Sequence, residues 1–565
     1  MSYCKLSQRK FFSRSNLLIF ITYVLGALIC GRLFVLTILN HDVYLTKSIN
    51  QETFAKTQNT KRGKIYLKDW QGKIYSVAIN KGWPMAYAEP NRITIDNKHS
   101  LAREIAKILN LEETVVFKKI SDSNDPFEIL KRKLNTEETQ NIKELDAKGI
   151  KIQTEENLRY YPASTLASHV IGFLGHQGDE CVGQYGIEEY YDKTLSGKIA
   201  NTDFSFEEQV SSGYDITLSL DPNIQLFVEE GLKKNVEQYN ASEGTAIVMN
   251  PKTGAIVAMA NYPNFNPNDY AKEDNFNVFI NQAISSVFEP GSVFKPIIMA
   301  IALDQGVVNP ASTYQDRGFV RMGGYTIYNA DRKLFGEQTM TQVLEKSINT
   351  GIIYVEKLLK QDTIRAYLDK FGFEHKTDIE LPGEASGNLT NLKTGRPINF
   401  ATAAFGQGIS TTAIQLTKAF GIIANRGMLV NPTIVASIEK DGKIQEDVHE
   451  KNIDQKQAII SPNTANRLTA MLVNVTENGT GARAKIPGYL IATKTGTAQI
   501  PQKGGYGEDA VHTVIGFGPA YNAQFVILVE LTRPQEVRFA AVSVAPLFRD
   551  IAEYLLNYWE ISPEN

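Results

Sequence analysis

The stretch Glu289 to Pro296, "EPGSVFKP", sets a Ser and a Lys three positions apart behind a Pro-Gly turn, with Val293 and Phe294 between them. It admits two readings: a loop entering a core helix, or a nucleophile with its base one helical turn away. A helix starting at Ser292 brings Lys295 onto the same face. Pro296 then falls at the edge of the first turn, where a missing N–H is tolerable. About two Ser-x-x-Lys pairs are expected by chance in a chain this long, and four occur, at Ser2, Ser7, Ser292 and Ser437. The first two lie in a short basic head where no folded site can form. Ser437 sits in a strand whose alternation puts Lys440 on the opposite face. Only Ser292 has a setting that suits catalysis.

A serine hydroxyl is a poor nucleophile until a neighbour takes its proton, and a lysine does so only as a neutral amine. Apolar neighbours and a nearby second cation both push a lysine pKa down. "KTGT", Lys494 to Thr497, offers that cation. Lys-Thr-Gly also occurs at Lys252, in a hairpin turn, and at Lys393, in a loop. Only the copy at Lys494 continues with a second Thr after an apolar strand, a four-residue match expected in under about one such chain in a hundred. Ser-x-Asn occurs at Ser48, Ser347, Ser386 and Ser461; Ser347 and Asn349, in "LEKSINTGIIYVEKLL", lie between the other two motifs at a helical boundary. The order Ser-x-x-Lys, Ser-x-Asn, Lys-Thr-Gly is that of penicillin-binding proteins and class A β-lactamases. The bland alternative, a helix cap at Ser292 and a strand-end charge at Lys494, does not account for three motifs arriving in order.

Outward from these motifs the chain reads as α+β. From Gly213, "YDITLSLDPNIQLFVEEGLKKNV" passes from strand to helix, with Asp221 as N-cap and Pro222 at N1. "GTAIVMNPKTGAIVAMANYP" is a hairpin of two apolar strands. "YLIATKTGTAQI" and "QFVILVELT" are late strands and "APLFRDIAEYLLNYWE" a final helix, which predicts an antiparallel sheet flanked by helices. Between Asn40 and Ser212, "KRGKIYLKDWQGKIYSVAIN" alternates like a hairpin turning at Asp69 to Gly72, and Leu101 to Gly149 has the Lys, Glu and Leu spacing of exposed helices.

Lys5, Arg9, Lys10 and Arg14 precede an apolar run from Leu17 to Leu39 broken by Arg32 alone. About 23 residues at ~1.5 Å each span a hydrocarbon core of roughly 30 Å. The basic flank predicts a cytoplasmic N-terminus with the rest of the chain outside. The run stays apolar beyond Cys30, which argues against a cleaved signal peptide, and Ile29 is too large for a lipid-modified Cys30. Arg32 lies near the outer end, where its stem can snorkel. With 565 residues, 43% hydrophobic and 21% charged, the chain is long enough for two or three domains. A net charge of -3 gives no reason to expect nucleic acid, and three cysteines without metal-ligand spacing give none for a disulfide framework or a metal site. The predicted division is a tail 1–16, an anchor 17–39, a non-catalytic region 40–212 and a catalytic domain 213–565.

On these motifs the sequence resembles a class B penicillin-binding protein, a membrane-anchored peptidoglycan D,D-transpeptidase. "RGKIY", "RYYPASTLASHVIGFLG", "GQYGIEEYYDKTLSG", "FGQGISTTAIQLTKAFGIIANRG", "NGTGARA" and "HTVIGFGPA" also resemble family segments, with "HTVIGFGPA" and "KTGTAQ" closer to the division subclass. Two departures stand out: Asp69-Trp70-Gln71-Gly72 for the usual Asp-Arg-Asn-Gly, and Thr493 for the usual Gly before the Lys, a change expected to alter the strand edge lining the cleft. The resemblance implies a serine β-lactamase-like catalytic domain behind an elongated pedestal, and no cofactor. It implies that Ser292 attacks the D-Ala-D-Ala carbonyl, Lys295 is its base, Ser347 relays the proton, Asn349 fixes Lys295 and the substrate amide, and Lys494 holds the relay charge. Thr495, Gly496 and Thr497 would bind the substrate, and the backbone N–H groups of Ser292 and Thr497 would form the oxyanion hole. Implied partners are stem peptides, β-lactams and a glycan polymerase of the SEDS type docked on the pedestal. A D,D-carboxypeptidase or β-lactamase shares these motifs, but both are usually shorter; an inactive peptidoglycan-binding scaffold does not need the intact set.

Overall fold

Alternating residues on either side of Asp69 to Gly72 form the predicted hairpin, strands β1 (Ile65–Lys68) and β2 (Ile74–Ala88). The Asp69 carboxylate accepts from the backbone N–H of Gln71 at 3.1 Å and of Lys73 at 2.8 Å, which fixes the turn. The computed structural model describes residues 14–35, 61–94, 98–121, 127–177, 180–197, 212–447, 457–502 and 505–564. It comprises two units, Met1–Lys61 with Asn201–Ser211, and Arg62–Ala200 with Ser212–Asn565.

In the first unit the described structure is helix α1 (Arg14–Phe34), whose side chains from Leu17 onward are all exposed. A helix this long and apolar, exposed among the described residues, is compatible with a membrane span by length and composition. Residues 36–39 of the predicted span lie outside the described residues.

In the second unit the Lys- and Glu-rich stretch departs from the expectation of exposed helices alone. It forms α2 (Lys98–Leu109), α3 (Glu113–Ser121), strand β3 (Glu128–Lys131) and α4 (Thr136–Leu145), and then β4 (Ile150–Tyr160). These helices bury their own small core, including Ile105, Leu109, Val116 and Ile120, against β2 and β3. Their charged faces carry the polar pattern; one apolar stripe per helix suffices for the packing.

Past Ser212 come β5 (Asp215–Leu218), α5 (Pro222–Gln238), β6 (Glu243–Met249) and β7 (Ile256–Tyr262). Asp221 caps α5 as predicted, accepting from Asn223 N–H at 2.9 Å and Ile224 N–H at 3.2 Å. Then follow α6 (Lys295–Asp304), α7 (Asn349–Lys357), α8 (Ala413–Ala424), β8 (Val435–Lys440), β9 (Lys443–Asp447) and α9 (Pro462–Asn478). The chain closes with β10 (Ala492–Gln502), β11 (Gly505–Gly518), β12 (Phe525–Thr532) and α10 (Ala545–Tyr558).

Two sheets organise these elements. A five-stranded antiparallel sheet runs β10-β11-β12-β6-β7. Strand alternation sends Ile247 and Met249 toward α6 and α8 on one face, and Ala246 and Val248 toward α5 and α10 on the other. Helices thus cover both faces of the predicted sheet, and α8, apolar nearly all round, is buried at its centre. The second sheet runs β9-β8-β5-β1-β2-β3, with β4 also pairing β2. Its strands come from both sides of residue 212: Ile65 of β1 lies opposite Ile216 of β5, in parallel.

Candidate active site

The Pro290-Gly291 turn places Ser292. Gly291 takes φ +58°, and its N–H donates to Gly406 O at 3.0 Å. Gly406 is itself at φ +78°, and a Cβ there would stand 2.2 Å from Gly291 O, so the "FGQG" loop presses its backbone against the turn. The helix expected to start at Ser292 starts instead at Lys295, after a 3₁₀ turn over Gly291–Phe294. In a 3₁₀ turn residues i and i+3 eclipse, so Ser292 and Lys295 still share a face. Ser292 is half-buried, and its hydroxyl has no hydrogen-bond partner among the described residues.

Lys295 is fully buried. Its Nζ reaches Ser347 O at 2.5 Å, Ser347 Oγ at 3.2 Å and Asn349 Oδ1 at 2.8 Å. Ser347 occupies the left-handed region at φ +55°, in the break before α7. That is an unfavourable conformation for a side-chain-bearing residue, and it brings both the carbonyl and the hydroxyl of Ser347 to Lys295. Asn349 opens α7 and donates through Nδ2 to Tyr328 O at 3.1 Å, which holds the amide oxygen toward Lys295.

Lys494, also fully buried, donates to the same Ser347 hydroxyl at 3.1 Å and to Thr495 O at 2.9 Å. Two fully buried amines on one hydroxyl oppose each other's charge. Burial, and then the charge of Lys494, push the Lys295 pKa well below its ordinary value. Burial alone brings Lys494 down to about 7.

Strand β10 is the free edge of its sheet. Gly496 allows it to lie against the serine turn, because a Cβ there would be 3.0 Å from both Pro290 O and Val293 Cγ1. Thr495 is nearly buried, and Thr497 is exposed and accepts from Ala540 N–H at 3.1 Å. The structure therefore gathers Ser292, Lys295, Ser347, Asn349 and Lys494 in one place, with Thr495 to Thr497 alongside. Thr493 is corrected: it does not line the cleft. Alternation turns it to the face opposite Lys494, where its buried hydroxyl bonds Thr476 Oγ1 at 2.8 Å.

Sequence reasoning missed the supports of this site. Glu289, the first residue of the motif stretch, accepts from Gly408 N–H at 2.9 Å and from Tyr506 O–H at 3.1 Å, tying the serine turn to the Gly406 loop and to β11. Asp316 is buried and accepts from Thr350 Oγ1 at 2.6 Å and Asn329 Nδ2 at 3.0 Å, steadying the start of α7. No local spacing signals partners so distant in sequence.

Known proteins resemble this chain over most of its length. Residues 244–553 match the penicillin binding protein transpeptidase domain, and residues 57–210 the penicillin-binding protein dimerisation domain. Stage V sporulation protein D of Bacillus subtilis is 32% identical over 505 residues, covering 86% of this chain and 77% of that protein. Peptidoglycan D,D-transpeptidase FtsI of Escherichia coli is 27% identical over 560 residues, covering 95% and 90%. The crystal structure of penicillin-binding protein 3 from Mycobacterium tuberculosis complexed with aztreonam superposes with a TM-score of 0.68 at 26% identity, over 90% of this chain and 98% of that one. With two lysines of its sequence motifs meeting at Ser347 and a transpeptidase domain matched over more than half its length, the chain belongs to the penicillin-binding protein transpeptidase family.

Proposed function

We propose that this chain is a peptidoglycan D,D-transpeptidase that works through a Ser292 acyl-enzyme and is a covalent target of β-lactams. The observation that carries the residue assignment is the pair of buried lysines sharing the Ser347 hydroxyl, one turn from a free Ser292. Neutral Lys295 takes the Ser292 proton as the oxygen attacks the carbonyl between two terminal D-alanines. The backbone N–H groups of Ser292 and Thr497 stabilise the oxyanion, each such donor being worth about 3 kcal/mol. Ser347 passes the proton to the leaving nitrogen, the C–N bond breaks, and D-Ala departs. Lys494 holds the relay charge beside Ser347, and the Thr495 and Thr497 hydroxyls hold the substrate carboxylate. An amine of a second stem peptide then attacks the ester, releases Ser292 and forms the cross-link.

In this reading α1 anchors the chain with a cytoplasmic N-terminus, 213–565 acts outside the membrane in septal or lateral wall synthesis, and 40–212 is a pedestal that docks a SEDS-type polymerase. Mass spectrometry after benzylpenicillin treatment tests the nucleophile: the adduct is expected on Ser292 and absent in Ser292→Ala, and an adduct elsewhere overturns it. A donor-and-acceptor peptide assay tests the reaction. Hydrolysis with no cross-linked product would make this a carboxypeptidase.

A further inference from the structure

A short hairpin, Phe319–Met322 paired with Tyr325–Tyr328, is tied to the site through Asn349, whose Nδ2 donates to Tyr328 O at 3.1 Å. Val320, Met322 and Ile327 pack on the core beneath it, so alternation turns Phe319, Arg321, Thr326 and Tyr328 outward. On that outward face Phe319 is 41% and Tyr328 43% exposed, with their ring centroids 6.2 Å apart. Each ring carries a guanidinium: Arg321 lies over Phe319 at 5.4 Å and Arg332 over Tyr328 at 5.0 Å. Between Arg317 and Lys333 the sequence has four cations and one acid, Asp331, in a chain of net charge -3. Asp331 is already taken, by Arg538 at 2.6 Å and Lys333 at 3.7 Å, so Arg321 and Arg332 have no carboxylate partner among the described residues. Two guanidinium forks seated on aromatic rings beside a reaction centre are suited to receive a carboxylate.

The reaction decides which carboxylate comes here. In the proposed mechanism Ser347 hands a proton to the nitrogen that leaves, and the incoming amine takes that nitrogen's place and gives up a proton through the same hydroxyl. The acceptor therefore enters beside Ser347, two residues before Asn349, while the acyl chain stays on the edge of β10. The acceptor is a stem peptide too, and ends in a carboxylate of its own. We propose that the outward face of this hairpin is the docking surface for the acceptor stem peptide, and that Arg321 and Arg332 take its terminal carboxylate. The proposal rests on the transpeptidase reading and gives the second substrate its place. Water needs no such surface, so the hairpin acts on how the acyl-enzyme divides between cross-linking and hydrolysis.

The test uses the full chain in detergent, a donor peptide ending in D-Ala-D-Ala with its amines acetylated, and two acceptor peptides with the same free side-chain amine. One acceptor ends in a single D-Ala carboxylate and the other in the corresponding carboxamide. The readout is the ratio of cross-linked to hydrolysed donor as acceptor concentration rises. The half-saturating concentration is expected to be about fivefold lower for the carboxylate acceptor, the upper worth of an exposed ion pair. Arg332→Ala should bring the two acceptors to within about twofold of each other, and Arg321→Glu should reverse their order. Equal half-saturation in the wild type overturns the proposal. So does a preference that survives both substitutions, which would assign the carboxylate to Thr495 and Thr497 instead. Benzylpenicillin uptake shows that a variant has folded, and if one variant fails it the other decides. Failure of the transpeptidase reading looks different: neither acceptor gives cross-linked product at any concentration.

Discussion

Lys295 and Lys494 stand 3.2 and 3.1 Å from one hydroxyl, so the protonation of each depends on the other. In the proposed mechanism Lys295 acts as a base only when neutral, so acylation should fall as pH drops through its pKa. Lys494→Ala removes the charge that helps depress that pKa, so the acid limb of the acylation profile should move to higher pH, as rapid-mixing kinetics with a fluorescent penicillin would show. Lys295→Ala should slow acylation by about 10²- to 10⁴-fold, the usual loss of a general base. Lys494 loses its own charge as pH rises through about 7, so the relay through Ser347 should weaken and acylation should fall above that pH, which the same rapid-mixing kinetics would show.

At the scale of elements, the serine turn is held by backbone pressed on backbone. Gly406→Ala would drive a Cβ to 2.2 Å from Gly291 O at a φ of +78°, and should cost at least about 1–3 kcal/mol while slowing penicillin labelling. Thermal unfolding and labelling rates of the one variant check both. The same contrast between local and distant causes explains which elements could be seen in the sequence. The α5 cap, the β6–β7 hairpin and the three motifs each lie within a few residues, where spacing and turn chemistry act directly. The 3₁₀ turn under Ser292, strand β3 among charged helices, and the long β11 between the two predicted late strands depend on tertiary packing. Glu289 and Tyr506 meet across 217 residues, and Thr493 shows its face only once Thr476 is beside it. Family likeness supplied the assembly of the motifs; the residues that brace them came from the structure.

Across the second unit, the sheet joining β1 to β5 and β8 makes residues on both sides of 212 one body. Glu188 adds to this on the N-terminal side, buried between Arg62 at 2.7 Å and Arg159 at 2.6 Å. Burial raises its pKa and the two guanidinium groups more than offset this, so the carboxylate stays ionised at a pKa below the ordinary one. Glu188→Ala leaves buried Arg159 without its acidic partner and Arg62 with Asp192 alone, and should destabilise the fold by about 3–5 kcal/mol. Calorimetry of the intact chain should record one unfolding transition for both regions of this unit, and two separated peaks would contradict the shared sheet. That sheet also governs how the protein tolerates being cut. A fragment beginning at Gly213 would keep every catalytic motif yet lose β1, leaving the backbone of β5 as a raw edge. Such edges pair with one another, so the fragment should be poorly soluble and self-associating, whereas the edge at β10 is the one the proposed mechanism gives to the substrate.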